Sequence, residues 1–264
     1  MKKKWILFYD SGIGGLTTLC ETIKLANGLN LLYFADDKNC PYGNKSKNEI
    51  KKLVKYNLEY VFEKYDIELV VFACNTITAC LIDELRLSYK VPFVGIEPAV
   101  LPALKKSKTK EILVVATNAT IRQSKYLSLV KRGEGKVYSL GFETLAKDIE
   151  ECFINGARSD FKAYINEINN AIHDFCCFNI DKIVLGCTHY SFVKKIFSKE
   201  LQKECVDGNY GVAKRVKMLI SNDLSFKKRC EDKLNHIEIM LTSNEKNKMT
   251  RYYRLVKDLK MRES

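Results

Sequence analysis

The sequence predicts an α/β protein built as two similar three-layer domains, each with a mostly parallel sheet. Short apolar runs alternate with longer helical patterns along almost the whole chain, which is typical of right-handed βαβ units. Most of the runs are continuously apolar, as parallel strands buried on both faces require. The predicted strands are Trp5–Tyr9, Leu31–Phe34, Leu69–Ala73, Phe93–Ile96, Ile112–Thr117, Lys136–Leu140 and Ile183–Gly186.

These strands fall into two series with the same rhythm. Each series opens with a strand that runs into a polar turn, and each has a later strand that ends at a cysteine. The last part of the chain adds a candidate strand, His236–Leu241, and a helix around Tyr252–Leu259 that can pack back on the first half. We therefore expect a first domain formed by residues 1–96 with 208–264, and a second formed by residues 97–207.

The composition indicates a soluble globular protein with a substantial core. The apolar share is 46% and the charged share is 29%, and no apolar stretch approaches the roughly 20 residues that span a bilayer. Met1–Lys4 is followed by only a short apolar run before Asp10, so the apolar region of a signal peptide does not form. We expect a cytoplasmic protein that does not enter a membrane.

The net charge of +12 raises the question of nucleic-acid binding. The basic excess is concentrated in the last third, where runs such as Lys227–Arg229 make a surface with nonspecific affinity for anions. No recognised nucleic-acid motif accompanies it, and lysines also serve simply to solvate exposed helix faces. The sequence therefore predicts no specific nucleic-acid partner.

Two of the ten cysteines stand apart from the others. Cys74 follows the strand Leu69–Ala73 and Cys187 follows Ile183–Gly186, and small hydrogen-bonding residues come directly after each. Ligands of an open parallel sheet bind at the carboxyl ends of its strands, so both thiols are expected to face a site. If the two halves face each other, one substrate lies between two thiols, which suits moving a proton from one face of a carbon to the other.

The remaining cysteines indicate neither a disulfide scaffold nor a metal site. Their spacing is irregular, and the chain is too long for the small disulfide-rich class. No Cys-x-x-Cys pair occurs, and Cys187 with His189 supplies too few ligands for zinc. Cys40, next to Pro41, has no evident partner. We therefore expect no bound metal.

The turn after the first strand, Asp10–Leu16, is rich in glycine. Such a turn exposes backbone amides at a helix N-terminus and receives phosphate or carboxylate. It matches neither the dinucleotide motif nor the P-loop, so a carboxylate ligand fits better than a nucleotide. Asp10 is either a helix cap or a site residue that binds an ammonium group or assists a thiol. Thr117–Thr120 follows a strand of the second series in the same way and offers hydroxyls to an anion or as caps.

Taken together, these segments resemble the glutamate racemases, a family within the cofactor-independent aspartate/glutamate racemase superfamily. The chain departs from the family pattern at Phe142–Glu143, where a Cys-Pro or similar pair is usual. The segments that carry the resemblance occur in order along the chain and are Asp10–Leu16, Pro41–Gly43, Ala73–Thr76, Gly95–Pro98 and Leu185–Tyr190.

The resemblance implies interconversion of L- and D-glutamate with no cofactor, for peptidoglycan synthesis, by a homodimer whose domains are related by a pseudo-twofold axis around the active-site cleft. It implies that Cys74 takes the α-proton of D-glutamate and that Cys187 takes that of L-glutamate. The implied helpers are Asp10 near Cys74, and Glu150 and His189 near Cys187. Glu151 is the alternative to Glu150 as the acidic helper of the family.

The resemblance also implies a set of groups that hold the zwitterionic substrate. They act through hydroxyls, side-chain amides and backbone N–H groups, and they are Asp10, Ser11, Tyr42, Gly43, Asn75, Thr76, Thr188 and His189. Two alternatives stay open. One is racemisation of aspartate or another acidic amino acid, since spacing does not set side-chain length. The other is a binding module that holds an anion without turnover, which leaves the strand-end cysteines without a purpose.

Overall fold

The computed structural model describes residues 3–174, 179–222 and 234–261. It contains two separate sheets flanked by helices, and all strand pairs in the described residues are parallel, which confirms the predicted α/β class. The strands are β1 Lys4–Asp10, β2 Asn30–Ala35, β3 Asp66–Phe72, β4 Phe93–Gly95, β5 Glu111–Thr117, β6 Lys136–Phe142, β7 Lys182–Leu185, β8 Glu204–Val206 and β9 His236–Leu241.

The two sheets repeat one strand order. The first sheet runs β4-β3-β1-β2-β9 and the second runs β6-β5-β7-β8. Read from its other end, the second sheet matches the first four strands of the first sheet, with β9 added beside β2. The strands β3 and β7, which precede the two cysteines, therefore occupy equivalent places, each beside the strand that opens its series.

Most strands extend a residue or more beyond the apolar runs that predicted them. The strand β3 begins at Asp66, whereas the apolar run begins at Leu69. Asp66 and Ile67 pair with Lys4 and Trp5 of β1, so the backbone continues the ladder where the side chains are already polar or half-buried. The pattern of side chains alone does not predict this extension, because pairing with the neighbouring strand determines where β3 begins.

Helices cover both faces of each sheet, as the predicted three-layer arrangement requires. Ser46 caps α2 by a reciprocal capping box with Glu49. Within the described residues, no helix is both long and apolar enough to cross a membrane. The helices are α1 Leu16–Leu25, α2 Lys47–Lys64, α3 Asn75–Ser88, α4 Val100–Lys106, α5 Asn118–Ile121, α6 Ser124–Lys131, α7 Leu145–Asn155, α8 Lys162–Asp174, α9 Lys194–Leu201, α10 Asn209–Asn222 and α11 Lys246–Met261, with short 3₁₀ helices at Tyr42–Asn44 and Thr188–Val193.

One apolar core runs through both halves of the molecule. Alternate residues of β1, such as Phe8, and of β5, such as Leu113, belong to the same buried cluster. The opposite faces pack separately, with Leu7 in a cluster under α2 and α3, and Val114 in a cluster under α4 and α6. The shared core fixes the two sheets relative to each other, so the loops at their strand ends meet at a defined place.

The last part of the chain returns to the first sheet. The strand β9 has the bounds that the sequence predicted and pairs with β2, and α11 packs on α1 and α7. The helix α10 also packs on α1. The basic run Lys227–Arg229 lies outside the described residues.

Candidate active site

Cys74 and Cys187 stand at equivalent strand ends with nearly the same backbone conformation. Cys74 follows β3 after Ala73 and is the N-cap residue of α3, with φ −135° and ψ 117°. Cys187 follows β7 after Gly186 and opens a 3₁₀ helix, with φ −136° and ψ 137°. Both residues are buried, at 6% and 8% exposure. Both thiols are therefore sheltered from bulk water at the carboxyl ends of parallel strands.

The loops of the two halves meet between these cysteines. The hydroxyl of Thr188, next to Cys187, donates to Asp10 Oδ2 at 3.1 Å. A Cβ on Gly14 would lie 2.7 Å from the backbone nitrogen of His189, so only glycine allows this approach of the loop after β1. Thr76, two residues after Cys74, lies with its hydroxyl 3.2 Å from that of Thr117 in the second half. Polar residues from both halves thus enclose one site.

Asp10 is the ionisable neighbour of Cys74. Its carboxylate is fully buried and accepts hydrogen bonds from the backbone N–H groups of Ser11, at 2.6 Å, and Gly15, and from Thr188. Burial raises the pKa of Asp10 from 3.8 to about 6, although His189 and the N–H of Ser11 oppose the shift. Burial also raises the pKa of the Cys74 thiol well above its ordinary value, and the negative charge of Asp10 adds to it. Asp10 therefore binds backbone N–H groups of the loop before α1 and also lies beside the Cys74 thiol.

Cys187 has a different neighbour, a buried histidine paired with a carboxylate. The Sγ atom of Cys187 lies 3.9 Å from His189 Nδ1, and His189 Nε2 lies 2.8 Å from Glu150 Oε2. Burial alone favours the neutral ring, but hydrogen bonds with Cys187, Cys40 and Glu150 raise the pKa of His189 well above its ordinary value. This side of the site therefore favours an imidazolium next to a thiol.

Glu150, rather than Glu151, faces the site. Its Oε2 atom also accepts the backbone N–H of Ile13 at 2.9 Å, whereas Glu151 is half-exposed and pairs with Lys147. Helix phase contains this information, because Glu150 lies one turn after the buried Ala146 and Glu151 lies one turn after the exposed Lys147. The sequence alternative between the two residues could thus have been resolved from the buried face of α7.

One of the predicted substrate-binding residues, Tyr42, can offer only part of what the sequence indicated. The hydroxyl of Tyr42 donates to Asp36 and lies 3.1 Å from that of Tyr9, inside the first sheet's core. Tyr42 is therefore placed to offer its backbone, not its hydroxyl, to a ligand. Gly43 lies next to it, against Thr117.

The residues that follow the cysteines keep polar atoms at the site. Asn75 is buried, and its Oδ1 atom has no hydrogen-bond partner among the described residues. Ser11, Thr76 and Thr188 are buried as well, with their hydroxyls among the loops described above. An unpaired buried acceptor is costly, so Asn75 is poised to accept a hydrogen bond from a bound ligand.

Sequence reasoning did not find two residues that contact the histidine–carboxylate pair. Cys40 Sγ lies 4.0 Å from His189 Nε2, and the hydroxyl of Tyr252 on α11 donates to Glu150 Oε1 at 3.1 Å. The position of Cys40 beside Pro41–Gly43 was the one available signal for it. Nothing local marks Tyr252, because its contact depends on how α11 packs on α7.

Comparison with solved structures gives the fold class. The structure of Escherichia coli glutamate racemase matches with a TM-score of 0.79 at 23% identity, over 98% of this chain and 96% of that one. The two proteins therefore share a fold. A glutamate racemase isoform of Bacillus anthracis matches with a TM-score of 0.78 at 26% identity, over 97% of this chain and 95% of that one. The molecule thus has the two-sheet α/β fold of these isomerases.

Sequence comparison gives the family. The family model described as Asp/Glu/Hydantoin racemase matches residues 22–215. The glutamate racemase of Halothermothrix orenii is 38% identical over 216 residues, which cover 80% of this chain and 83% of that protein. The chain therefore belongs to the Asp/Glu/hydantoin racemase family, and this confirms the resemblance seen in its strand-end motifs.

Proposed function

We propose that this protein is a glutamate racemase that interconverts L- and D-glutamate through two thiols, Cys74 and Cys187. The observation that carries the proposal is the placement of both thiols at equivalent strand ends, with the loops of both halves joined between them. The choice of glutamate is supported by relatives named glutamate racemase, which are 31–38% identical over most of the chain. The substrate lies between residues 1–96 with 208–264 on one side and residues 97–207 on the other.

The reaction needs two protonation states at once. One cysteine, as thiolate, takes the α-proton and becomes a thiol, and the electron pair stays on the α-carbon as a carbanion. The other cysteine, as thiol, gives its proton to the opposite face and becomes the thiolate. Cys74 is the base toward D-glutamate and Cys187 the base toward L-glutamate. No cofactor takes part, since the two sulfur atoms account for both proton transfers.

Each thiol needs help to ionise near neutral pH, and the two sides provide it differently. The Asp10 carboxylate accepts the proton of Cys74, and a pKa raised to about 6 makes it a stronger base than an ordinary carboxylate. His189 stabilises the thiolate of Cys187 as an imidazolium, and Glu150 at 2.8 Å stabilises that charge.

The zwitterionic substrate is held by polar groups around the two thiols. The free Oδ1 atom of Asn75 accepts from the substrate ammonium group. The hydroxyls of Ser11, Thr76 and Thr188 bind its carboxylates, for which those of Ser11 and Thr188 rotate away from Asp10. The backbone of Tyr42 and Gly43 adds N–H donors, and Asp10 and His189 complete the set. Donors fixed at the α-carboxylate stabilise the charge that develops as the carbanion forms.

Membership of the family supports a proposal for the cellular setting. The protein acts in the cytoplasm as a homodimer and supplies D-glutamate for peptidoglycan synthesis. A mass measurement in solution tests the dimer independently of the chemistry.

Circular dichroism of purified protein with L-glutamate tests the activity directly. We expect the signal to decay to zero as the racemate forms, with much slower decay for L-aspartate. In D₂O, deuterium should appear at the α-carbon of the enantiomer produced, because each product proton comes from a thiol that exchanges with solvent. A constant signal, or product that retains its original α-hydrogen, would contradict the two-thiol mechanism.

A further inference from the structure

Three metal-ligating atoms meet at the outer end of the His189–Glu150 pair. They are the Sγ atom of Cys40, a carboxylate oxygen of Glu150 and the Nε2 atom of His189, and they lie within 4.8 Å of one another. Cys40 comes from the loop after β2, Glu150 from α7 and His189 from the 3₁₀ helix after β7. Their distance in the sequence explains why ligand spacing predicted no metal site.

The donor set selects for a particular class of ion. A thiolate, an imidazole and a carboxylate together suit borderline-soft Zn²⁺, whereas Mg²⁺ and Ca²⁺ prefer oxygen ligands alone. Three protein ligands also leave the fourth tetrahedral position to water, as in zinc sites with an open position. Two negative ligands neutralise the charge of the ion, which reduces the cost of holding it at a largely buried site.

The ligands are already held by their surroundings. Glu150 accepts hydrogen bonds from Ile13 N–H and the Tyr252 hydroxyl, so its carboxylate is oriented before any ion arrives. His189 Nδ1 faces Cys187 and leaves Nε2 directed at Glu150. A Cβ on Gly12 would lie 2.7 Å from Cys40 Sγ and would collide with Glu150 Oε2, so glycine leaves room for both ligand atoms.

An ion can reach this cluster from solvent. Cys40 is partly exposed, and the Glu150 side chain is 12% exposed, whereas His189 is buried behind them. Binding releases two protons to solvent, one from the Cys40 thiol and one from His189 Nε2, as the sulfur and the ring nitrogen coordinate the ion. It also places the ion between His189 Nε2 and Glu150 Oε2, which otherwise bond to each other.

We propose that Cys40, Glu150 and His189 form a Zn²⁺ site, and that the bound ion inhibits the enzyme by occupying the histidine–carboxylate pair that serves Cys187. The inhibition rests on the proposed racemase function, whereas the binding rests on the ligand geometry alone. The two parts therefore need separate measurements.

Binding is tested with Co²⁺ as a spectroscopic probe for Zn²⁺. Metal-free, reduced protein titrated with Co²⁺ should develop a thiolate-to-cobalt charge-transfer band that saturates at a single ion per chain and disappears when Zn²⁺ is added. Cys40→Ala should lose this band and bind Zn²⁺ at least about tenfold more weakly. Cys205→Ala, which removes a buried cysteine of β8 away from the cluster, is the matched control and should behave like the parent protein. Cys40→Ser replaces Cys40→Ala if the alanine variant does not fold.

Inhibition is tested by racemisation with and without Zn²⁺. The parent protein and Cys205→Ala should lose most activity on addition of Zn²⁺ and regain it with a chelator. Cys40→Ala, compared with its own metal-free rate, should change less than about twofold. Absence of the cobalt band, or a band that Cys40→Ala leaves unchanged, would overturn the site. Zn²⁺ binding through Cys40 without loss of activity would overturn the inhibition alone.

Discussion

The Cys74 and Cys187 sides of the site share a scaffold but differ in chemistry. Both thiols follow corresponding strands in the same strand order and have nearly the same backbone angles. The neighbour of Cys74 is the anion Asp10, whereas the neighbour of Cys187 is His189, backed by Glu150. The difference shows that the repeated topology places the sulfur atoms, while the loops, which are free to diverge, determine which ionisable groups surround each one.

This asymmetry gives the resting site a preferred state. An anion beside Cys74 and burial around it both favour the thiol form of Cys74. On the other side, the raised pKa of His189 favours an imidazolium beside Cys187. Each turnover reverses these states, so both helpers must be able to change their protonation.

The largest expected effect is loss of either thiol. Cys74→Ala and Cys187→Ala should each lower racemisation at least about 10³-fold, because general acid and general base are both essential to the same turnover. Circular dichroism of L-glutamate measures the rate, and thermal unfolding checks that each variant folds. Cys205→Ala is the control for loss of a buried cysteine. If either site variant kept near-parent turnover, that thiol would have no part in the mechanism.

Burial of the Asp10 carboxylate should lower the free energy of unfolding at neutral pH. Its pKa is about 6 in the folded protein and 3.8 ordinarily, so between these values the folded protein holds a proton that the unfolded chain has released. The free energy of unfolding should therefore fall as pH rises through this window, by about 3 kcal/mol from this group. Asp10→Asn lacks this contribution.

Urea unfolding of the parent protein and Asp10→Asn at a series of pH values measures this contribution of Asp10 to the free energy of unfolding. The difference in unfolding free energy should shift in favour of Asp10→Asn as pH rises from about 4 to 7. Parallel pH profiles for the two proteins would show that the carboxyl group ionises in the fold at its ordinary pKa.

Kinetic measurements on variants of Asp10 and His189 should distinguish the Cys74 side of the site from the Cys187 side. Asp10→Asn and His189→Asn should each lower kcat/KM about 10²-fold. The loss must be equal for both substrates, because mirror images have equal free energies in water. The sides can therefore be distinguished by isotope effects rather than by rates.

With α-deuterated substrates, Asp10→Asn should raise the isotope effect on kcat/KM for D-glutamate, because the step at Cys74 becomes slower than the step at Cys187. His189→Asn should raise it for L-glutamate instead. The same pattern in both variants would mean that Asp10 and His189 do not serve separate thiols.

Local sequence was sufficient to predict the fold class and the positions of Cys74 and Cys187 at strand ends. The strands could be predicted because burial on both faces imposes an apolar run, and the cysteines because each stands where such a run ends. The directions of side chains in the loops could not be predicted from local sequence in this way. The hydroxyl of Tyr42 points into a buried network with Tyr9 and Asp36, which depends on packing between β1, α2 and the loop after β2.

Contacts made by the end of the chain were also beyond sequence reasoning. Lys248 on α11 pairs with Asp37 at 2.8 Å, and Thr242 donates to Asp36. Lys248, from the basic last third, therefore helps to hold the loop that leads to Pro41–Gly43. These pairs join residues far apart in the chain, so their identity depends on β9 docking beside β2.

The smallest expected effect belongs to one such contact, the hydroxyl of Tyr252. Tyr252 is fully buried and donates to Glu150 Oε1 at 3.1 Å, so Tyr252→Phe keeps the packed ring and removes one hydrogen bond to the carboxylate. A hydrogen bond to a charged group contributes about 1.5–3 kcal/mol, which sets an upper limit on the effect. Glu150 keeps its bond to Ile13 N–H and acts on Cys187 only through His189, so a part of this is lost and kcat should fall about tenfold or less with KM unchanged.

The matched control for this variant is Tyr210→Phe, which removes the hydroxyl of an exposed tyrosine on α10. The α-deuterium isotope effect decides whether Tyr252 acts through the Cys187 side. It should rise for L-glutamate in Tyr252→Phe, as in His189→Asn, because a less firmly held Glu150 stabilises the imidazolium less well. A rise for D-glutamate instead would connect α11 to the Asp10 side, and the two helpers would then not be independent.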